Sequence, residues 1–127
     1  MTENEIAKQI VDAAYKIHTK FGPGLLESAY HAILAYELRK RGLRVESKKP
    51  IPLVYEEVML DVGYEADLVV EDLVVVELKA VEQLAQVHKR QLLTYLKLAD
   101  KRLGLLINFG ESLIKDGIHR VANGLKE

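Results

Sequence analysis

Asp67, Glu77 and Lys79 fall in two stretches rich in Val and Leu, Ala66-Asp67-Leu68-Val69-Val70 and Leu73-Val74-Val75-Val76-Glu77-Leu78-Lys79. Side chains along a strand alternate between faces, so Glu77 and Lys79 share a face, about 7 Å apart. Glu71-Asp72 reads as a hairpin loop. A hairpin centred on Asp72 sets Asp67 directly across from Glu77, with Cβ atoms about 5 Å apart. Carboxylates that close repel one another unless a cation lies between them or one is protonated. Glu77 also follows four apolar residues, where an ionised carboxylate is costly to bury without a partner. Lys79 alone neutralises it in part. Two carboxylates, a lysine and an open coordination face suit a divalent ion better, and an oxygen ligand set favours magnesium or manganese. Such an ion polarises a phosphodiester and acidifies water. Lys79 would orient or activate that water and stabilise charge developing on the phosphate. On spacing alone the same pattern describes a surface hairpin ending in an ion pair.

The flanking sequence supplies elements to hold these groups. Thr2-x-x-Glu5 is a capping-box pattern, and Ile6, Ile10, Ala13, Ile17 and Phe21 recur at helical spacing until Gly22-Pro23-Gly24 breaks the helix. A second helix is expected from Leu25 to Arg41, with Leu26, Tyr30, Ile33 and Leu34 as its stripe and Gly42 as its stop. Glu37 lies near the middle of that stripe, a position for a carboxylate paired with Lys or Arg. Lys49 to Tyr55, with two prolines, reads as an edge strand. Val58 to Val70 and Leu73 to Lys79 read as further strands, the second buried on both faces. A third helix spans Leu84 to Ala99 with Leu84, Val87, Gln91, Tyr95 and Leu98 on one face. Leu103 to Phe109 is another buried strand, with a short strand or helical tail after a turn at Asp116-Gly117. The order is α-α-β-β-β-α-β, a mixed sheet with helices against it.

At 127 residues the chain is expected to form one domain over 1–127. There are no cysteines, which removes disulfides, zinc-thiolate and iron–sulfur sites and cysteine nucleophiles, and fits a reducing compartment. The acidic start MTENEIAKQIV is no secretory signal, and no apolar run is long enough to span a bilayer, so a soluble, cytoplasmic protein is expected. A net charge of −1 gives no general support to nucleic-acid binding, which must use a local patch. Arg39 to Lys49 and His88-Lys89-Arg90 are the candidates, equally readable as solvated surface.

Gly24-Leu25-Leu26-Glu27-Ser28-Ala29-Tyr30 resembles the GxxExxY signature of a small bacterial and archaeal protein family within the PD-(D/E)xK nuclease superfamily. The likeness runs through Gly22-Pro23-Gly24, Ala66-Asp67-Leu68, Glu77-Leu78-Lys79-Ala80, Gln91 to Leu96 and Gly104 to Gly110. It implies an α/β, restriction-endonuclease-like fold with an αβββαβ core. It further implies Asp67 and Glu77 as metal ligands, Lys79 as the catalytic lysine, Glu27 as an additional acidic ligand from the first core helix, and Gln91 as a polar site residue with Tyr95 one turn on. Two positions depart from the family pattern: Glu65 replaces a frequent arginine before the Ala-Asp pair, and His31 replaces a frequent acidic residue after the signature tyrosine. Glu65 shares a strand face with Asp67, so it adds negative charge or serves as a spare ligand.

The resemblance implies magnesium- or manganese-dependent hydrolysis of a phosphodiester, in DNA before RNA, by a chain that works as a homodimer. Two other readings stand beside it: a non-catalytic nucleic-acid- or partner-binding module on the same fold, and an α/β ligand-binding domain whose acidic cluster is a structural ion-pair network. Tyr30 and Tyr95 are economical as core aromatics with satisfied hydroxyls, and Asn108 as a strand-end partner for backbone. His88 reads as surface or structural, and His18, His31 and His119 have no ligand spacing.

Overall fold

The computed structural model describes residues 1–126. Helix α1 (Glu3–Phe21) starts with the expected capping box: Thr2 Oγ1 accepts the Glu5 N–H at 3.2 Å, and the Glu5 carboxylate accepts the Thr2 N–H at 2.8 Å. Ile6, Ile10, Ala13 and Ile17 are buried, whereas Phe21 emerges at the end of the helix where Gly22 turns the chain at φ 68. Helix α2 (Glu27–Lys40) buries Tyr30, Leu34, Ala35 and Leu38. Leu26 is its N-cap and is exposed rather than part of the stripe, because the helix begins one residue after it. Glu37 is buried and bonded by Arg41 Nε at 2.9 Å and Lys16 Nζ at 3.2 Å, the pairing its position called for.

The strands are β1 (Val45–Pro50), β2 (Leu53–Tyr55), β3 (Val58–Leu60), β4 (Glu65–Val70), β5 (Val74–Lys79), β6 (Leu103–Asn108) and β7 (Ile118–Ala122), with α3 (Gln86–Ala99) before β6 and the single turn α4 (Ile114–Gly117) after it. Five strands form one sheet in the order β1-β4-β5-β6-β7, and its one parallel pair, β5 with β6, is joined over α3. Helices α1 and α2 pack on the face bearing Leu68, Val74 and Val76; α3 packs on the face bearing Val69, Val75 and Leu106. The run α2-β1-β4-β5-α3-β6 is the αβββαβ core, and β5 is buried on both faces as its unbroken apolar run requires.

Three expected elements are corrected. The edge strand is Val45–Pro50, most of it in the basic segment before the expected strand, rather than 49–55. At Ile51 the chain leaves the sheet, and Leu53–Tyr55 pairs instead with Val58–Leu60 in a separate two-stranded sheet. The long strand expected from Val58 to Val70 is cut by a turn in which Asp61 Oδ1 accepts the Gly63 N–H at 3.1 Å and Gly63 takes φ +80, a conformation glycine adopts freely. Helix α3 is rotated from its expected setting: Leu92, Tyr95 and Leu96 are buried, while Val87 and Gln91 are exposed. The spacing Leu92-Tyr95-Leu96 makes a more apolar stripe. Gly104 on β6 lets it approach, since a Cβ there would lie 2.9 Å from the Leu92 side chain.

Candidate active site

The β4–β5 hairpin turns where it was expected. Glu71 and Asp72 both adopt positive φ, 53 and 56, within the three-residue loop Glu71-Asp72-Leu73 that joins the strands. Aspartate tolerates it better than glutamate, and side-chain bonds offset the cost. The Glu71 carboxylate accepts the Arg44 N–H at 2.6 Å, and Asp72 pairs with Lys101 at 3.1 Å and Lys49 at 3.5 Å. The resulting register aligns Val70 with Val74, Val69 with Val75 and Leu68 with Val76. One step further places Asp67 opposite Glu77, on the face covered by α3.

At that step the backbone ladder gives way to side chains. The Asp67 N–H donates to Glu77 Oε1 at 3.1 Å, and the Leu78 N–H donates to Asp67 Oδ2 at 2.8 Å. Each carboxyl is held by an amide of the opposite strand, which fixes its direction and leaves its second oxygen for another partner. Glu77 is 8% exposed. Burial, and then the charge of Asp67, push its carboxyl up to about 9 against the opposing pull of the Asp67 N–H and of Lys79. The site thus contains a carboxyl that stays protonated at neutral pH unless positive charge is supplied. Two hard oxygen donors in this state fit a divalent cation, whose charge removes the penalty that keeps Glu77 neutral.

Lys79 ends β5, half-buried, on the same face as Glu77 by alternation. Its carbonyl accepts the Phe109 N–H at 2.8 Å. Past it, Asn108 clamps Val81: the Asn108 amide oxygen accepts the Val81 and Gly110 N–H groups, both at 3.0 Å, and its amide nitrogen donates to the Val81 carbonyl at 2.8 Å. Gly110 is obligatory in this clamp, because a Cβ would fall 2.2 Å from the Val81 carbonyl oxygen.

Tyr95 stands over the acidic pair from α3. It is buried, and its hydroxyl is pushed further up by burial and by the neighbouring acids, Glu77 and Asp67 among them. Tyr64 tilts against it with ring centroids 5.7 Å apart. Tyr64 is the residue sequence reasoning missed; its only signal was its position three residues before Asp67. Gln91, one turn before Tyr95, lies on the exposed side of α3 and does not share the buried face with Tyr95 as its expected place in the helix stripe required.

Glu27 is the first residue of α2, exposed, on the helical layer across the sheet from the pair. Among the described residues no three His, Asp or Glu side chains are brought together as a ready cation cluster, so Asp67 and Glu77 form a pair that Glu27 does not directly join. Tyr30 acts on the turn ahead of Glu27: its hydroxyl donates to the Gly22 carbonyl and accepts the Leu25 N–H at 3.0 Å, and its ring stacks on Phe109 at 4.4 Å. His88 Nδ1 accepts the Ala85 N–H at 3.1 Å and caps α3, a structural role. Of the two basic segments, Arg41, Arg44 and Lys49 are matched by acids of the same chain, which leaves Arg39, Lys40, Lys48, Lys89 and Arg90 as exposed cations with no ion pair among the described residues.

The family model for the PD-(D/E)XK nuclease superfamily matches residues 4–121. Comparison with curated proteins and comparison with solved structures both return no match.

Proposed function

The chain belongs to the PD-(D/E)XK nuclease superfamily, and from that premise we propose that it hydrolyses phosphodiester bonds in nucleic acid, DNA in the first instance, with the help of a divalent ion. Proteins of this superfamily are generally nucleases and typically use such ions. One observation carries the reading for this chain: Asp67 and Glu77 are each aimed by the other strand's amide, and burial beside Asp67 holds the Glu77 carboxyl up at about 9.

Asp67 and Glu77 hold the ion, magnesium or manganese, because their donors are all oxygen. When bound, the ion supplies positive charge that polarises the phosphodiester. Lys79 orients the attacking water and stabilises the charge that develops on the phosphate. Gln91 contacts phosphate from the exposed rim of α3, and Tyr95 below it offers a hydroxyl that remains a proton donor. Glu27 contributes through a water from the start of α2. The GxxExxY assignment fits this division of labour, since its tyrosine shapes the turn that starts α2 and thereby sets where Glu27 stands.

A net charge of −1 gives one copy no overall attraction for a polyanion, and a symmetric pair of copies would present a larger composite surface. No helix among the described residues is long and apolar enough to cross a membrane, and a chain without cysteine suits the reducing cytoplasm.

Two measurements test the reading. DNA cleavage in magnesium or manganese is expected in the parent and lost in Lys79→Ala. Calorimetric titration with manganese is expected to show binding weakened by about tenfold or more in Asp67→Asn. Parental cleavage by Lys79→Ala, or equal manganese affinity in Asp67→Asn, refutes the mechanism. Salt-sensitive association with nucleic acid, without cleavage by the parent, would leave a binding module on the same fold.

A further inference from the structure

The excursion between β1 and β4 spends apolar residues in a way the sheet does not explain. Strands β2 and β3 pair only with each other. Val54, Tyr55, Val58, Met59, Leu60 and Val62 are between 42% and 70% exposed. Neighbouring strand residues face opposite ways, so both faces of this hairpin are apolar and uncovered. Two-stranded hairpins are marginal in water on their own, and each edge here presents unpaired N–H and C=O groups. These six side chains leave on the order of 700 Å² in water, more than a monomer ordinarily shows and close to the ~800 Å² that each partner of a standard-sized interface buries.

Charge narrows the partner. From Ile51 to Leu78 there is no Lys or Arg, and the hairpin carries Glu56, Glu57 and Asp61. Such an arm is repelled by phosphate, which disfavours nucleic acid or an anionic membrane. Its complement lies on the same chain, where Lys48 is exposed on β1 just before the hairpin begins. A cavity of 350 Å³ opens at the hairpin's base, lined by Pro50, Ile51, Pro52, Met59 and Asp61. In a two-fold pair the tip of each arm meets the base of the other. The acidic tip then approaches the partner copy's basic β1, and the tip tyrosine, 68% exposed, approaches its cavity.

We propose that residues 53–60 are a dimerisation arm: two copies associate through antiparallel hairpins, with Tyr55 of each seated in the other's basal cavity. This gives a surface to the two-copy part of the proposed function and rests on that part alone; particle mass and cleavage are read separately.

Sedimentation equilibrium of the full chain is expected to show a dimer at roughly 100 µM, and Met59→Lys to raise the dissociation constant by about tenfold or more. Met59 is 70% exposed, so at concentrations where both proteins are monomeric the variant's denaturation midpoint should match the parent's. Because the chain has no cysteine, single-cysteine variants report orientation. Mixed Tyr55→Cys and Pro52→Cys copies should cross-link to each other faster than Tyr55→Cys copies cross-link among themselves. A monomeric parent, a dimer indifferent to Met59→Lys, or preferential self-linking of Tyr55→Cys overturns the proposal. So does an unchanged mass with tighter nucleic-acid binding in Met59→Lys, which would assign the arm to nucleic acid.

Discussion

Replacing Glu77 with Gln should stabilise the metal-free protein while abolishing its use of metal. The ordinary value for a glutamate carboxyl is 4.5, and in the folded chain Glu77 is pushed up to about 9. A raised acid binds a proton in the folded state that the unfolded chain has released. The associated stability is therefore fully present below 4.5 and is lost as pH rises towards 9. From 4.5 to 7 is two and a half pH units, so at about 1.4 kcal/mol per pH unit the folded state forfeits about 3 kcal/mol at pH 7. Glutamine does not ionise, can still accept the Asp67 N–H, and can donate to the Asp67 carboxylate. Urea unfolding in EDTA at pH 5, 7 and 8.5 should give a parent whose stability declines along that series relative to Glu77→Gln. The gap at pH 7 should approach 3 kcal/mol, a rise in midpoint temperature on the order of 10 °C. Saturating manganese should narrow the gap by stabilising the parent alone. If Glu77→Gln is less stable than the parent in EDTA at pH 8.5, the carboxylate is a structural partner and the account of the site fails.

Asn108→Ala should cost about 3 kcal/mol in urea unfolding, because it strands the Val81 and Gly110 amides and the Val81 carbonyl; Asn108→Asp, which keeps both acceptor bonds, should recover part of that loss. Gln91→Ala should leave stability within about 0.5 kcal/mol, since the residue is exposed, yet reduce DNA cleavage; unchanged cleavage would remove Gln91 from the site. Arg41 and Lys16 beside Glu37 hold its carboxyl below the usual range against the effect of burial, so its contribution is present above pH 4.5 and fades as pH falls further. In acid-unfolding curves Glu37→Gln should be less stable than the parent at pH 7, with the two converging towards pH 3; parallel curves would count against the ion pair.

The pairing of Asp67 with Glu77 was legible because it needs only a period of two and a turn centred on Asp72, both present in the sequence. The long first helix was legible through its capping box, and the obligatory partnering of Glu37 through its place on an apolar stripe. The edge strand was not: Val45 to Pro50 reads VESKKP, with no alternation, and it is a strand because the exposed edge of β4 supplies its ladder. The face of α3 was ambiguous because Gln91 to Ala99 offers two overlapping apolar stripes; a notch at Gly104 on the sheet chooses between them, and that notch is a tertiary fact. The position of Glu27 on the far helical layer likewise depends on packing, whereas its motif says only that a turn precedes a helix.

The neck of the β2–β3 excursion has its own consequence. Where the chain leaves the sheet, the Ile51 N–H bonds to the Tyr64 carbonyl at 2.8 Å, and Pro50 still aligns with Glu65, two residues from Asp67. Everything beyond that bond hangs from a closed ring. The entropy of closing such a ring grows only slowly with its length, so insertions, deletions and wholesale changes of composition there need not displace the sheet. Natural variation can therefore rewrite what the chain associates with while the chemistry at Asp67, on the sheet side of the closing bond, stays in place, and an engineer could graft a new recognition segment at the same point.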